Sequence, residues 1–83
     1  MKKQKLLQKV LSGTKNVKFS EAVALVEAFG FRLDRVNGSH HIFVHPEIPE
    51  LLNFQNDSGK AKPYQIKQLL QLVEANNLQL GEK

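Results

Sequence analysis

The chain has 83 residues, which suits one domain and leaves no room for a second hydrophobic core. It has no cysteine, so a disulfide framework, a thiol nucleophile and a cysteine-ligated zinc site are excluded. Twelve lysines and arginines against eight acidic residues give a net charge of +4, which favours a polyanionic partner such as nucleic acid. There is no membrane-length apolar stretch and no signal-peptide pattern, so we expect a soluble, cytoplasmic protein without membrane contact.

Two amphipathic helices are predicted in the first third of the chain. The first covers about residues 2–12, where apolar residues recur at offsets 0, 1, 4 and 5 from Leu6 and form one stripe. The second should run from about Glu21 to Phe29, with Ser20 as its N-cap and Gly30 directly after its end.

The residue pattern changes from helical to alternating near Phe31, which predicts a β-hairpin. Asn37-Gly38 lies between the two strand-like runs and favours a two-residue turn. Counting outward from that turn places Arg35 opposite His40, and Asp34 opposite His41. Because side chains alternate between the faces of a strand, this register also predicts the face that the helices cover. That face is expected to carry Phe31, Leu33, Ile42 and Val44 and to continue into Arg35 and His40, with Arg32, Asp34, His41, Phe43 and His45 on the other.

The rest of the chain completes an α+β pattern. Pro46 and Pro49 should end the second strand, and a third strand is predicted over Leu51–Gln55. Pro63 suits the first turn of a last helix. The order α-α-β-β-β-α predicts a small antiparallel three-stranded sheet with helices on one face. Its core is expected to contain Leu25 or Val26, Phe29, Leu33, Ile42, Val44, Leu69, Leu70 and Val73.

The three histidines do not have the spacing of a metal site. His40 and His41 are adjacent in a strand and should point to opposite faces, and His41 lies about 13 Å along the strand from His45. Ligand nitrogens must come within about 2 Å of one ion. We therefore expect metal-independent chemistry without a cofactor.

His40 is the candidate for acid–base chemistry. An imidazole exchanges protons near neutral pH, as cleavage of an RNA phosphodiester at the 2′-hydroxyl requires. Arg35, expected opposite His40, and the Gly38-Ser39 pair before it offer a cation, an accessible backbone and a hydroxyl to a phosphate. The alternatives are an ordinary surface histidine and a solvated arginine. For His41, a surface ion pair with Asp34 is favoured over a catalytic pair.

A second candidate contact for RNA lies before the last helix. Lys60 and Lys62, together with the free N–H groups of a helix start, can bind a phosphate, although a solvated loop is an equal alternative. Phe43, expected on the face away from the helices, can stack on a base, with partner contact or partial burial as the alternatives.

The run NGSHHIFVHP over residues 37–46 resembles the central motif of the HicA family of toxin ribonucleases. The resemblance lies in Gly-Ser-His, an aromatic residue three positions after that histidine, and the later His-Pro pair. It extends to Ala-Phe-Gly-Phe before the first strand and to GKAKP over residues 59–63, and covers roughly residues 20–75.

This resemblance implies a double-stranded-RNA-binding-like fold and a toxin that cleaves mRNA and is neutralised by a HicB-type antitoxin. It implies that His40 is catalytic. From the residues themselves, the candidate RNA contacts are Arg35, Ser39, His41, Lys60 and Lys62. Residues 1–83 would form one such domain, with residues 1–12 as an additional N-terminal helix. A non-catalytic RNA-binding or protein-interaction module on the same fold is the alternative function.

Overall fold

The computed structural model describes residues 3–13 and 16–80, and shows in them three helices and one antiparallel sheet with strand order β1-β2-β3. The elements are α1 Lys3–Ser12, α2 Phe19–Ala28, β1 Arg32–Asn37, β2 His40–His45, β3 Ile48–Gln55 and α3 Pro63–Ala75. The predicted α+β class and element order are confirmed. Residue 2, where the first helix was expected to begin, lies outside the described residues. None of the described helices is long and apolar enough to cross a membrane.

α2 begins earlier than predicted because its first residue is anchored from outside the helix. The backbone N–H of Phe19 donates to the carbonyl oxygen of Gly59 at 2.8 Å. Lys18 occupies the N-cap position, and its N–H donates to the Glu21 carboxylate at 3.0 Å. Ser20 therefore lies inside the helix, and its predicted role as the cap is wrong.

The hairpin turn lies one residue further along the chain than predicted. Gly38 and Ser39 form the turn, and Asn37 is the strand residue that pairs with His40. Gly38 has a φ of +64°, whereas Asn37 and Ser39 have no positive φ. This pattern fits a type II′ turn, while a type I′ turn over Asn37-Gly38 would need a positive φ at both of its central residues.

This shift changes both of the predicted cross-strand pairs. Arg35 pairs with Ile42, and His41 pairs with Val36. The register is interrupted at Asp34, between the two halves of β1, and its carboxylate accepts a hydrogen bond from the guanidinium of Arg35 at 2.6 Å. The expected pairings of Arg35 with His40 and of Asp34 with His41 are therefore wrong.

β2 is the central strand of the sheet. The face of β2 that packs against the helices is the one that carries Phe43, and this is opposite to the prediction. Phe43 is fully buried and packs edge-on against Phe54 of β3, with ring centroids 6.2 Å apart. Ile42 and Val44 are half-buried on the other face, which we call the outer face. Leu33 pairs with Phe43 but is 43% exposed, so it does not belong to the core as predicted. The buried residues of β3 are paired with the residues of β2 that lie on the same face as Phe43. This alignment determines which face of β2 the helices cover. Stacking of Phe43 on a base is therefore excluded.

The helices supply the other half of the core. Leu25, Val26, Phe29 and Leu69 are buried as predicted. Leu70 and Val73 were also expected in the core, and they are half-buried against it. The core prediction is therefore right for the helices and wrong for the hairpin.

α1 is an integral part of this core. Leu6 is 4% exposed and Val10 is fully buried, so the apolar stripe of α1 packs inside the domain. On the polar side, the Lys9 ammonium lies 2.7 Å from the Glu21 carboxylate of α2. The hydrogen bonds from Lys9 and from the Lys18 N–H lower the pKa of the Glu21 carboxyl below its usual range.

β3 is longer than predicted because it accommodates a proline. Pro46 follows the end of β2 as expected, but Pro49 lies within β3. β3 is an edge strand with one unpaired side, where a missing backbone donor is tolerated. The expectation that Pro49 ends a strand is wrong for this reason.

Candidate functional site

The hairpin turn and the loop after β3 meet at one end of the sheet. Asn56 donates its backbone N–H to the carbonyl oxygen of Ser39 at 2.9 Å. The loop then reverses direction, and Asp57 and Lys60 exchange two backbone hydrogen bonds of 2.9 and 3.0 Å. The structure thus brings Ser39, His40 and the loop that carries Lys60 to the same end of the sheet.

His40 projects from the outer face of the sheet, on the side away from the helices. It pairs with Asn37 of β1 and Gln55 of β3, and its side chain is half-buried. Its Nδ1 lies 3.0 Å from the amide oxygen Oδ1 of Asn53, an exposed residue of the neighbouring strand. The imidazole is therefore held by a side chain of the sheet and not by a loop.

The other two histidines lie on the helix-facing side of β2 and take part in packing. The His41 ring contacts Phe19 edge-on with centroids 4.7 Å apart, and the His45 ring contacts Phe31 in the same way at 5.0 Å. His45 Nδ1 also accepts the backbone N–H of Glu47 at 3.0 Å. In residues 3–13 and 16–80, no group of three or more histidines and carboxylates is placed to hold a metal ion.

Two arginines of β1 share the outer face with His40. Arg35 pairs with Ile42, so it is a diagonal neighbour of His40, at about 7–8 Å between backbone positions. Its side chain is 61% exposed, and its guanidinium is paired with the Asp34 carboxylate. Arg32 pairs with Val44 and shares the outer face with His40, whereas the predicted register placed Arg32 and His40 on opposite faces. Arg32 was not identified from the sequence, because the irregularity at Asp34 that brings Arg32 to the outer face could not be predicted. Asn53 was not identified either, because the alignment of β3 with β2 is not visible in the sequence.

The two lysines of the loop before α3 have different environments. Lys60 is exposed, and its backbone bridges to Lys18 at the start of α2. Lys62 is half-buried at the N-cap position of α3, and its ammonium lies 3.7 Å from the Asp57 carboxylate. An incoming phosphate would therefore compete with Asp57 for Lys62.

Comparison with known proteins places the chain in a family. A family model described as the HicA toxin of bacterial toxin-antitoxin systems matches residues 19–75, from the first residue of α2 to the last residue of α3. No curated protein matches the chain. The matched region contains the hairpin, its Gly-Ser-His run and the lysine loop, and α1 precedes it. With well over half of its 83 residues matched, the chain belongs to the HicA family of bacterial toxins.

Proposed function

We propose that the protein is a metal-independent endoribonuclease that cleaves mRNA with His40 as its acid–base group, and that a HicB-type antitoxin neutralises it. Membership of a toxin family supports the biological role. The observation that carries the catalytic assignment is the different placement of the three histidines. The rings of His41 and His45 pack against phenylalanines, whereas His40 lies on the outer face beside Arg35.

The chemistry of this proposal needs one proton acceptor and a positive surface. The imidazole of His40 takes the proton of a ribose 2′-hydroxyl, and the 2′-oxygen forms a bond to the adjacent phosphorus. The bond from phosphorus to the 5′-oxygen breaks, and the leaving oxygen takes a proton from the imidazolium or from water. The products are a 2′,3′-cyclic phosphate and a 5′-hydroxyl. Arg35 stabilises the additional negative charge on the phosphate as it develops, and Arg32, further along the same face, adds to the positive surface that binds the RNA.

The remaining candidates are proposed as RNA contacts of unequal strength. The Ser39 hydroxyl and the exposed Lys60 lie at the same end of the sheet as His40 and suit phosphate binding. His41 and Lys62 contribute less, because the His41 ring packs on Phe19 and the ammonium of Lys62 is close to a carboxylate.

The test is cleavage of a labelled RNA by the purified wild-type chain, His40→Ala and His41→Ala, with and without EDTA. General acid–base catalysis supplies about 10²–10⁴ in rate, so His40→Ala should lose activity on that order and keep its melting temperature and RNA affinity. EDTA should have no effect on the wild type. Wild-type activity in His40→Ala would refute the assignment, and loss in His41→Ala alone would transfer the role to His41.

Two further outcomes bear on the biological role. Expression of the wild type should arrest growth, and co-expression of a HicB-type antitoxin should restore it. If the purified wild type binds RNA and cleaves none, the protein is a binding module on the HicA fold and the enzymatic proposal fails.

A further inference from the structure

The contact between His40 and Asn53 joins two neighbouring strands on the outer face. Asn53 pairs with Ile42, so its side chain is a diagonal neighbour of His40 across the ladder between β2 and β3. Both residues belong to regular strands, and the backbone ladder therefore fixes their separation. The distance of 3.0 Å between Nδ1 and Oδ1 is that of a normal hydrogen bond.

The direction of this hydrogen bond follows from the orientation of the Asn53 amide, which turns Oδ1 and not Nδ2 toward the ring. An amide oxygen only accepts, so the bond forms when Nδ1 of His40 carries the proton. In the neutral ring the other nitrogen, Nε2, then has the free lone pair. When Nε2 receives a proton, Nδ1 keeps its own, and the contact with Asn53 persists in the imidazolium.

We propose that Asn53 is a positioning residue that holds His40 in the Nδ1-protonated tautomer and so presents Nε2 as the base toward RNA. The inference rests on the proposed ribonuclease function and adds a residue to it. An amide suits this position because it orients the ring without adding a negative charge that would repel the RNA phosphate.

The first experiment reads the tautomer directly and does not depend on cleavage. Long-range ¹H–¹⁵N NMR spectra of the full chain are recorded at a pH where the rings are neutral, and His40 is assigned by its loss in His40→Ala. The wild type should show a protonated Nδ1 and a free Nε2. Asn53→Leu, which keeps a similar size without the acceptor, should give a mixture of tautomers. A protonated Nε2 in the wild type, or the same tautomer in both proteins, would overturn the proposal.

The second experiment measures what the tautomer does for the reaction. Asn53→Leu should lower kcat about 10- to 100-fold with little change in KM, because Nε2 is no longer free in part of the molecules and the ring loses its fixed orientation in the rest. Asn53→Asp keeps an acceptor oxygen and should restore kcat. Its carboxylate favours the imidazolium, so the acidic limb of the kcat–pH profile should move to higher pH. Leu51→Ala, at another exposed outer-face position of β3, is the control and should leave kcat unchanged.

These results separate this inference from the proposed function. If the wild type cleaves no RNA, the ribonuclease function fails, and the NMR comparison still decides whether Asn53 sets the tautomer. If the wild type cleaves RNA and Asn53→Leu does so with the same kcat, the positioning role fails and the catalytic assignment of His40 stands. Equal melting temperatures of the variants, expected for an exposed residue, exclude unfolding as the cause of a lower kcat.

Discussion

The two faces of β2 can be tested by comparing two neighbouring residues. Phe43 is 1% exposed, and removing a fully buried phenyl ring costs about 3–5 kcal/mol of the free energy of unfolding. Ile42→Ala removes three carbon atoms, each worth about 0.8 kcal/mol when fully buried, so the half-buried Ile42 should lose only about 1 kcal/mol. A chain of 83 residues has roughly 4–12 kcal/mol in total, so Phe43→Ala removes much of its stability.

The assay is unfolding in urea, followed by circular dichroism, with equal m-values required for the comparison. If Phe43→Ala does not fold, Phe43→Leu retains part of the apolar volume and should still be destabilised. An Ile42→Ala variant that loses more stability than Phe43→Ala would refute this arrangement. That result would mean that Ile42, and not Phe43, faces the helices, as the sequence analysis expected.

Three other predictions concern stability and RNA binding. The pKa of Glu21 is lowered in the folded state, so Glu21→Gln should lose up to about 1 kcal/mol of the free energy of unfolding at neutral pH. In denaturation experiments at pH values below about 4.5, the difference in stability between this variant and the wild type should become smaller. Gly30→Ala should lose about 1–3 kcal/mol of stability in thermal melts, because Gly30 has a φ of +98° and a Cβ there would lie 2.9 Å from Nε2 of His45. Gly13→Ala is the control and should keep its stability, because a Cβ at Gly13 would meet open space. Lys60→Ala should reduce the salt dependence of RNA affinity by about 0.7 in the log–log slope, while Lys9→Gln, which removes the same charge from α1, should leave the slope unchanged. Equal slopes in the two lysine variants would place the RNA elsewhere.

Local patterns predicted the elements well because each element has its own local signal. The apolar stripe around Leu69 and the proline at position 63 located α3, and the change of period near Phe31 located the hairpin. The register failed because it depends on one choice of turn. Asn37-Gly38 and Gly38-Ser39 are both acceptable turns, and the backbone adopts the second.

The face of β2 could not be read from β2 itself. The central strand is apolar at three successive positions, Ile42, Phe43 and Val44, so alternation within it does not distinguish the two sides. The decision comes from β3, where Leu52 and Phe54 are fully buried on the side of Phe43. Such information is non-local and appears only when the two strands are aligned.

The residues of the candidate site could be predicted from the sequence only in part. The resemblance of the Gly-Ser-His run marked His40, and the family match from residue 19 to residue 75 confirms the family but not the role of the histidine. The reasoning that placed Arg35 beside His40 used a wrong register, yet Arg35 remains on the same face as its diagonal neighbour. Asn53 lies 13 residues further along the chain and has no motif, so only the sheet could bring it to His40.

The strand that carries His40 is packed from behind by the helices. His41 follows His40 directly, and its ring packs against Phe19, whose backbone is bonded to the loop after β3. Phe19 begins α2, and α2 is joined to α1 through Glu21 and through the shared core. α1 lies outside the matched family region, yet its Val10 is fully buried in that core. The additional helix therefore contributes to the packing behind β2, the strand that carries His40.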